Sequence, residues 1–284
     1  MKKGYIEIAR VQDIPIYVPQ KTWFSFFNSP YPAHKLSSAV DVYFEKEAIM
    51  PIEEGRILEI KYFKSVHSSE KEPLILVSID EKRVLKILHV KPYVKEGEKV
   101  YLGDSLGKLV VSKFFFKWTD THAHFEIREK NDPYRARGAY TLRITPALKV
   151  LPNPINEVRE FEVVEVNDRY IWVKSRKNDY TASGLVVKAG NNVYCVDGGI
   201  PHYGYGVVIG ANRITEITFC GSTIGKGELV MEGGLLFKPI KKPKIKNLDL
   251  IGVGAYLNKP LLKIIPREKC DLKPGDVLSL KFGE

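Results

Sequence analysis

Hydrophobic positions in this chain seldom repeat at helical spacing. Short runs of β-branched and aromatic residues alternate with polar ones and are cut by Gly, Pro and Asn-Asp turns, which is the pattern of strands. The first half predicts strands at Tyr5–Ala9, Ala39–Phe44, Gly55–Phe63, Leu74–Ile79, Val84–His89, Ser105–Val111 and Ala123–Arg128. A second series runs through Glu160–Val166, Tyr170–Lys174, Leu185–Lys188, Asn192–Val196, Gly206–Ile209, Ile214–Phe219, Leu229–Met231, Leu248–Val253, Leu261–Ile265 and Val277–Lys281. Many short strands at this spacing predict an all-β protein.

Thr145–Ile155, TPALKVLPNPI, holds three prolines in eleven residues and resists both helix interior and central strand. A boundary there divides the chain into domains 1–150 and 155–284, in keeping with a length of 284 residues. Hydrophobic residues at 44% and charged residues at 27% exclude general disorder, and 3 cysteines exclude a disulfide scaffold. Cys195, Cys220 and Cys270 lack metal-knuckle spacing and read as buried thiols of a reducing compartment. No apolar run approaches the ~20 residues of a membrane span, and no signal peptide precedes the first strand, so a cytoplasmic protein is expected. Scarce Gln, Met and Cys beside abundant Lys, Glu and Ile suggest a thermophilic composition. The net charge of +10 admits an anionic partner, but solubility alone accounts for it, and a nucleic-acid partner is not expected. The densest basic run, KPIKKPKIK at 238–246, is broken by Pro239 and Pro243 and reads as a solvated linker loop.

Candidate chemistry concentrates in the first half, which holds five of the six histidines. His122 and His124, in THAHFEIRE, fall on one face of a strand about 6–7 Å apart. His89 ends an apolar strand and by itself reads as a core-edge histidine bonded to backbone. Glu126 either orients a histidine or pairs with Arg128 one pleat away, the pairing being favoured. His67, in a polar hairpin, has no assigned role.

Taken in order, the half contains HKLSSAVD with His34 and Asp41, then AIMPIEEGRILEI, then His89 ahead of Val94, Gly97, Val100, Gly103 and Gly107, and last HAHFE. This order over about residues 30–130 resembles the lysostaphin-type (LytM-like) zinc metallopeptidases, the peptidoglycan endopeptidases. The resemblance implies a β-sandwich or barrel-sandwich-hybrid (duplicated hybrid motif) domain; the C-terminal β domain, which shows no motif of its own, reads as an accessory module. It implies Zn²⁺ held by His34, Asp41 and His124, with His89 and His122 as catalytic histidines. The implied function is a metalloendopeptidase hydrolysing a peptide or isopeptide bond in a peptide or peptide-crosslinked polymer. Three ligands would leave one zinc position for water, whose pKa falls toward ~7. One histidine would accept the water's proton, and the other, if protonated, would stabilise the oxyanion. The alternative is a catalytically silent relative serving as a binding or regulatory scaffold.

Three features depart from the family. His34 and Asp41 are seven residues apart, an odd spacing that points them to opposite faces of a regular strand, so a bulge or loop must re-aim His34. Phe114, Phe115, Phe116 and Trp118 stand where small residues are usual. A cytoplasmic location is in tension with a substrate outside the cell. Two other readings rank lower. A lipoyl- or biotinyl-like carrier would need Lys82 as the modified hairpin lysine. In the second half Asp197-Gly198-Gly199 and Gly204 to Gly206 read as tight turns in a loop, Val196–Gly210, whose His202, Tyr203 and Tyr205 could touch substrate. The sequence does not indicate the oligomeric state.

Overall fold

The computed structural model describes residues 3–64, 71–112, 116–177 and 181–283. His67, Phe114 and Phe115 lie outside the described residues. The protein is all-β, and its described helices are two short ones, Pro32–Lys35 and Thr145–Val150. It divides into two compact units. One comprises residues Met1–Phe26 and Tyr31–Ala147, the other Phe27–Pro30 and Leu148–Glu284. No helix among the described residues is long and apolar enough to cross a membrane.

The first unit is built on a seven-stranded antiparallel sheet. Its spatial order is Lys99–Tyr101, Glu54–Lys64, Lys71–Ser78, Arg83–Leu88, Ala123–Glu129, Val40–Tyr43 and Trp23–Ser25. Register explains its core. Val40, Phe125, Ile87 and Ile75 face one another in a row across four strands, and all are fully buried. Because strand side chains alternate, the opposite face of the same strands carries Asp41, His124, Lys86 and Glu126. Smaller sheets pair Tyr5–Val11 with Ile14–Pro19, and join Glu47–Ile49, Ser105–Leu109 and Val90–Pro92. The strand Ile14–Pro19 escapes sequence reading because Pro15 and Pro19 punctuate it; in a two-stranded ribbon the missing donors are tolerated.

The valine and glycine rhythm after His89 now has a local cause. Val94 and Val100 are buried, whereas Gly97 and Gly103 turn the chain at φ +85° and +93°. Gly107 has a different task. It pairs with Pro92, and a Cβ there would lie 2.1 Å from the Lys91 carbonyl oxygen. Gly107→Ala must therefore spread the two strands, and is expected to destabilise the protein by about 1–3 kcal/mol in urea unfolding. An unchanged midpoint would show that the strands can separate at no cost.

In the second unit an eleven-stranded sheet curls on itself. Val186–Ala189 pairs with both Glu216–Phe219 and Asn192–Ile200, which closes six strands into a barrel. The remaining strands, Leu250–Ala255, Leu261–Pro266, Ile171–Ser175, Glu160–Val166 and Val277–Ser279, continue the sheet from Asn192–Ile200. Its core runs through Val173, Leu185, Val196, Phe237, Val253 and Ile264.

Several sequence expectations are corrected here. Thr145–Val150 is a short helix, compatible with Pro146 because an N-terminal position lacks an intrahelical donor bond anyway. Asp197, Gly198 and Gly199 are strand, not turn, and Val196–Gly210 is a hairpin rather than a loop, its turn being Pro201–Gly204. Tyr205 is buried, and its hydroxyl donates to the Ser29 carbonyl at 2.8 Å within the same unit. The basic run is not a linker: Lys242–Lys244 pairs with Lys281–Gly283. Cys195 is buried, which pushes its thiol up to about 11, whereas Cys220 and Cys270 are only half-buried.

Candidate metal centre

The His124 strand carries the site. His122 stands just before it, and His124, Glu126 and Arg128 follow on the same face, all buried. Asp41 is the register partner of His124 on the neighbouring strand, and Glu126 is that of Lys86 on the other side. The sheet thus sets the positions of Asp41, Lys86, His124 and Glu126 without help from loops.

His34 arrives differently. Tyr31 is extended and Pro32 opens a single helical turn that ends at Lys35. Ser37 then reverses the chain at φ 53°. Ser38 fastens the turn through its N–H and its hydroxyl, which donate to the Ala33 carbonyl at 2.8 and 3.0 Å. This helical turn, not a strand bulge, aims His34 back at Asp41 across the odd spacing. The His34 Nε2 lies 3.1 Å from Asp41 Oδ1 and 3.2 Å from His124 Nδ1, and those last two atoms are 2.8 Å apart.

Proton positions follow from the outer partners. His34 Nδ1 lies 2.7 Å from the Phe26 carbonyl oxygen, which can only accept, so this nitrogen carries the hydrogen. His124 Nε2 lies 3.0 Å from the Glu126 carboxylate and donates to it. In the neutral imidazoles the remaining nitrogens, His34 Nε2 and His124 Nδ1, bear lone pairs. Two nitrogen lone pairs and a carboxylate oxygen therefore converge at 2.8–3.2 Å with no hydrogen between them. Such a group is satisfied by a cation, or by protonating one histidine. Ligand atoms about 2.0–2.1 Å from a tetrahedral zinc stand roughly 3.3 Å from one another. The triangle is close to that size, and its two imidazoles and one carboxylate are a donor set zinc accepts. His34, Asp41 and His124 could hold a metal ion.

Two further histidines flank the triangle. His122 Nδ1 donates to the Asp120 carbonyl at 2.8 Å. Its Nε2 is buried without a hydrogen-bond partner, 3.6 Å from the second oxygen of Asp41. His89 follows its strand at φ 64°, and its ring centroid lies 4.9 Å from that of His122. His89 Nδ1 donates to Glu72 at 2.9 Å, and the Ser112 hydroxyl lies 3.1 Å from both oxygens of that carboxylate. His89 is therefore bonded to a carboxylate, not to backbone as its strand-end position suggests.

A charged cluster completes the face. Glu126 receives His124 and Lys86 on one oxygen, both at 3.0 Å, and Arg128 on the other at 2.6 Å. Both sequence readings of Glu126 hold at once, one on each oxygen. Lys86 also reaches the Tyr31 hydroxyl at 3.2 Å, and Tyr31 sets its ring edge-on to His124. Neither Glu72 nor Lys86 stands out in the sequence. The one signal for Lys86 was a charged residue inside the apolar run Val84–Leu88; Glu72 follows Lys71 ahead of its apolar run and gave no such signal.

Burial and neighbours set the ionisation. Burial opposes the Asp41 charge, yet His34, His122 and His124 hold its carboxyl well below the usual range. Glu126 is pushed down to about 2: burial works against its charge, and His124, Lys86 and Arg128 outweigh it. Burial lowers His122, and it pushes His89 down to about 4 despite the Glu72 hydrogen bond. Burial also opposes the charge of His124, but its bonds to Asp41 and Glu126 raise it overall.

These shifts fix a sign for stability against pH. His89 binds its proton less readily folded than unfolded, so its contribution is complete above its unfolded value of 6.5 and is lost as pH falls toward about 4. Glu126 acts in the same direction lower down, between its ordinary 4.5 and about 2. His124 runs oppositely: its contribution is complete below 6.5 and fades as pH rises through its raised value. In chelator-treated protein the His89 contribution is expected to lower unfolding free energy by up to about 3 kcal/mol on acidification from neutrality. Urea midpoints across that range check this, and a His89→Gln variant should flatten the slope.

Comparison with known proteins follows the same division of the chain. Residues 15–144 match the family model described as Domain of unknown function (DUF8155) N-terminal domain. Residues 153–264 match the DUF8155 C-terminal domain. The two halves thus match, in order, the two domains of one family. No curated protein matches the chain. Among solved structures, the antimicrobial peptidase lysostaphin from Staphylococcus simulans is similar at 16% identity, over 78% of this chain and 89% of that one, with a TM-score of 0.32. At that score the likeness carries no weight for the site, which stands on its own geometry.

Proposed function

We propose that the first unit is a zinc-dependent hydrolase of peptide or isopeptide bonds, with His34, Asp41 and His124 as metal ligands and His122 and His89 as catalytic histidines. The observation that carries this reading is the convergence of three ligand atoms, His34 Nε2, Asp41 Oδ1 and His124 Nδ1, at 2.8–3.2 Å beside a fourth nitrogen, His122 Nε2, that has no hydrogen-bond partner. The order of motifs that resembles the lysostaphin-type metallopeptidases supports it.

Bound zinc would supply Lewis acidity toward a carbonyl and a water acidic enough to ionise near neutrality. The chain's own groups supply the rest. Asp120 fixes the His122 tautomer, so Nε2 faces the metal position as a proton acceptor. Burial lowers the His122 pKa, which favours the neutral ring that can accept a proton but makes it a weaker base than an exposed imidazole. Glu72 fixes His89 in the same way and leaves its other nitrogen free of hydrogen. With its pKa pushed down to about 4, His89 is not the imidazolium that oxyanion stabilisation would require, so its role shifts toward accepting and relaying a proton.

One observation favours a second reading. His122 and His89 are only 1% and 3% exposed, and a polymer substrate must reach them. A silent scaffold holding a structural metal would have such a closed site. The two readings separate on His122→Ala. For a hydrolase, this variant should keep zinc and lose cleavage of cross-linked peptides by at least a hundred-fold. If wild type binds zinc yet cleaves no cross-linked or linear peptide, the scaffold reading stands.

A further inference from the structure

We infer that the outer face of the ribbon formed by Lys242–Lys244 and Lys281–Gly283, in the second unit, docks on an acidic phospholipid surface. Exposure alternates strictly along residues 240–246: Ile240, Lys242, Lys244 and Lys246 face solvent, while Pro243 and Ile245 are buried. Lys241, between them, turns inward and donates to the Ser222 hydroxyl at 3.1 Å. Lys242 and Lys244 therefore project on one face about 7 Å apart. Lys281 is the register partner of Lys244, so two like charges stand directly opposite, an arrangement that destabilises a strand pair unless something neutralises it. Lys226 and Lys238 repeat the arrangement on the adjoining hairpin, although there Glu216 is the other register partner of Lys226.

Among the described residues, no ion pair neutralises the face. No acidic residue occurs between Gly233 and Leu248. Among the described residues, Lys238, Lys242, Lys244, Lys246 and Lys281 make no ion pair. The ribbon is held firmly enough to present them, with Phe282 buried beneath and the Ile240 N–H bonded to the Ile224 carbonyl at 2.9 Å.

The composition of the face chooses the partner. It contains lysines and no arginine, so it lacks the bidentate fork that reads bases, and it shows no exposed aromatic ring on which a base could stack. It does contain Ile240, 59% exposed beside the lysines. An isoleucine among lysines suits the boundary between headgroups and acyl chains, where the apolar tip enters and the ammonium groups meet phosphate.

The test is co-sedimentation of the full chain with vesicles of phosphatidylcholine alone, and of phosphatidylcholine mixed with phosphatidylglycerol. Binding is expected to the mixed vesicles only, and high salt should abolish it by screening. Each lysine near such a surface contributes roughly five-fold in affinity, so Lys242→Glu/Lys244→Glu should weaken binding at least ten-fold. Ile240→Ser should weaken it several-fold with no change in charge. Thermal unfolding verifies that the variants fold; if the double reversal does not, Lys242→Gln/Lys244→Gln replaces it with the same expected direction. No binding to acidic vesicles overturns the inference. So does binding that both lysine variants leave unchanged, or tighter binding to a single-stranded oligonucleotide than to the mixed vesicles.

Discussion

His124→Ala is expected to abolish stoichiometric zinc binding, and with it the gain in thermal stability that zinc gives the wild type. The Nδ1 removed is one of the three proposed ligand atoms, and the Nε2 lost with it is the one bonded to Glu126. At a free zinc concentration about a thousand-fold above Kd, a site present only in the folded state adds about 4 kcal/mol, so the wild type should show a clear rise in Tm and the variant none. Elemental analysis after purification without added metal gives the stoichiometry, and unfolding with and without a chelator gives the linkage. Asp41→Asn should behave similarly, because an amide oxygen is a weaker ligand and the negative charge is gone. His122→Ala should keep its metal. Full zinc in the His124→Ala protein would mean that the three converging atoms are satisfied by a proton instead, with His124 as its carrier.

Glu126→Leu is expected to be among the most destabilising single substitutions in the first unit. It would leave the Lys86 ammonium and the Arg128 guanidinium buried without their shared carboxylate, Glu126 itself being 0% exposed. Breaking a buried ion cluster on one side costs about 3–5 kcal/mol, most of it the cost of the charges left behind. The diagnostic comparison is Glu126→Leu against Lys86→Met/Glu126→Leu in urea unfolding. If the uncompensated charge dominates, the double variant regains part of the loss. If the two unfold alike, the loss belongs to packing and to Arg128 alone. Glu126→Gln separates the other task of the residue: it keeps an acceptor for His124 but weakens its orientation, and should lower zinc affinity by about 10–100-fold.

The position of each functional group shows how much was legible before folding. The pairing of His122 and His124 on one face needs only the two-residue period of a strand, and so does the line that continues to Glu126 and Arg128. His34 is another matter. Its spacing from Asp41 reads as wrong for a strand, and only a one-turn helix followed by a left-handed Ser37 makes it right. Lys86 and Glu72 were illegible because their partners are distant in sequence. Lys86 meets Glu126 forty residues on, and Glu72 meets Ser112 at the same separation. A charged residue in an apolar strand announces that a partner exists and says nothing of which.

By itself, then, the sequence determined the all-β class, most of the strands and the histidine-rich strand at the heart of the site, because each depends on local periodicity and turn chemistry. Strands punctuated by proline, such as Ile14–Pro19 and Lys242–Lys244, were obscured, since proline forbids a central strand but permits a two-stranded ribbon. Tertiary structure alone decided which side of His34 faces Asp41, which tautomer each histidine adopts, which carboxylate neutralises Lys86, and that six strands of the second unit close into a barrel. Each of these depends on register between strands far apart in the chain, and burial then turns that register into chemistry: once water is excluded, a buried lone pair or charge is satisfied only by whatever the neighbouring strand places opposite it.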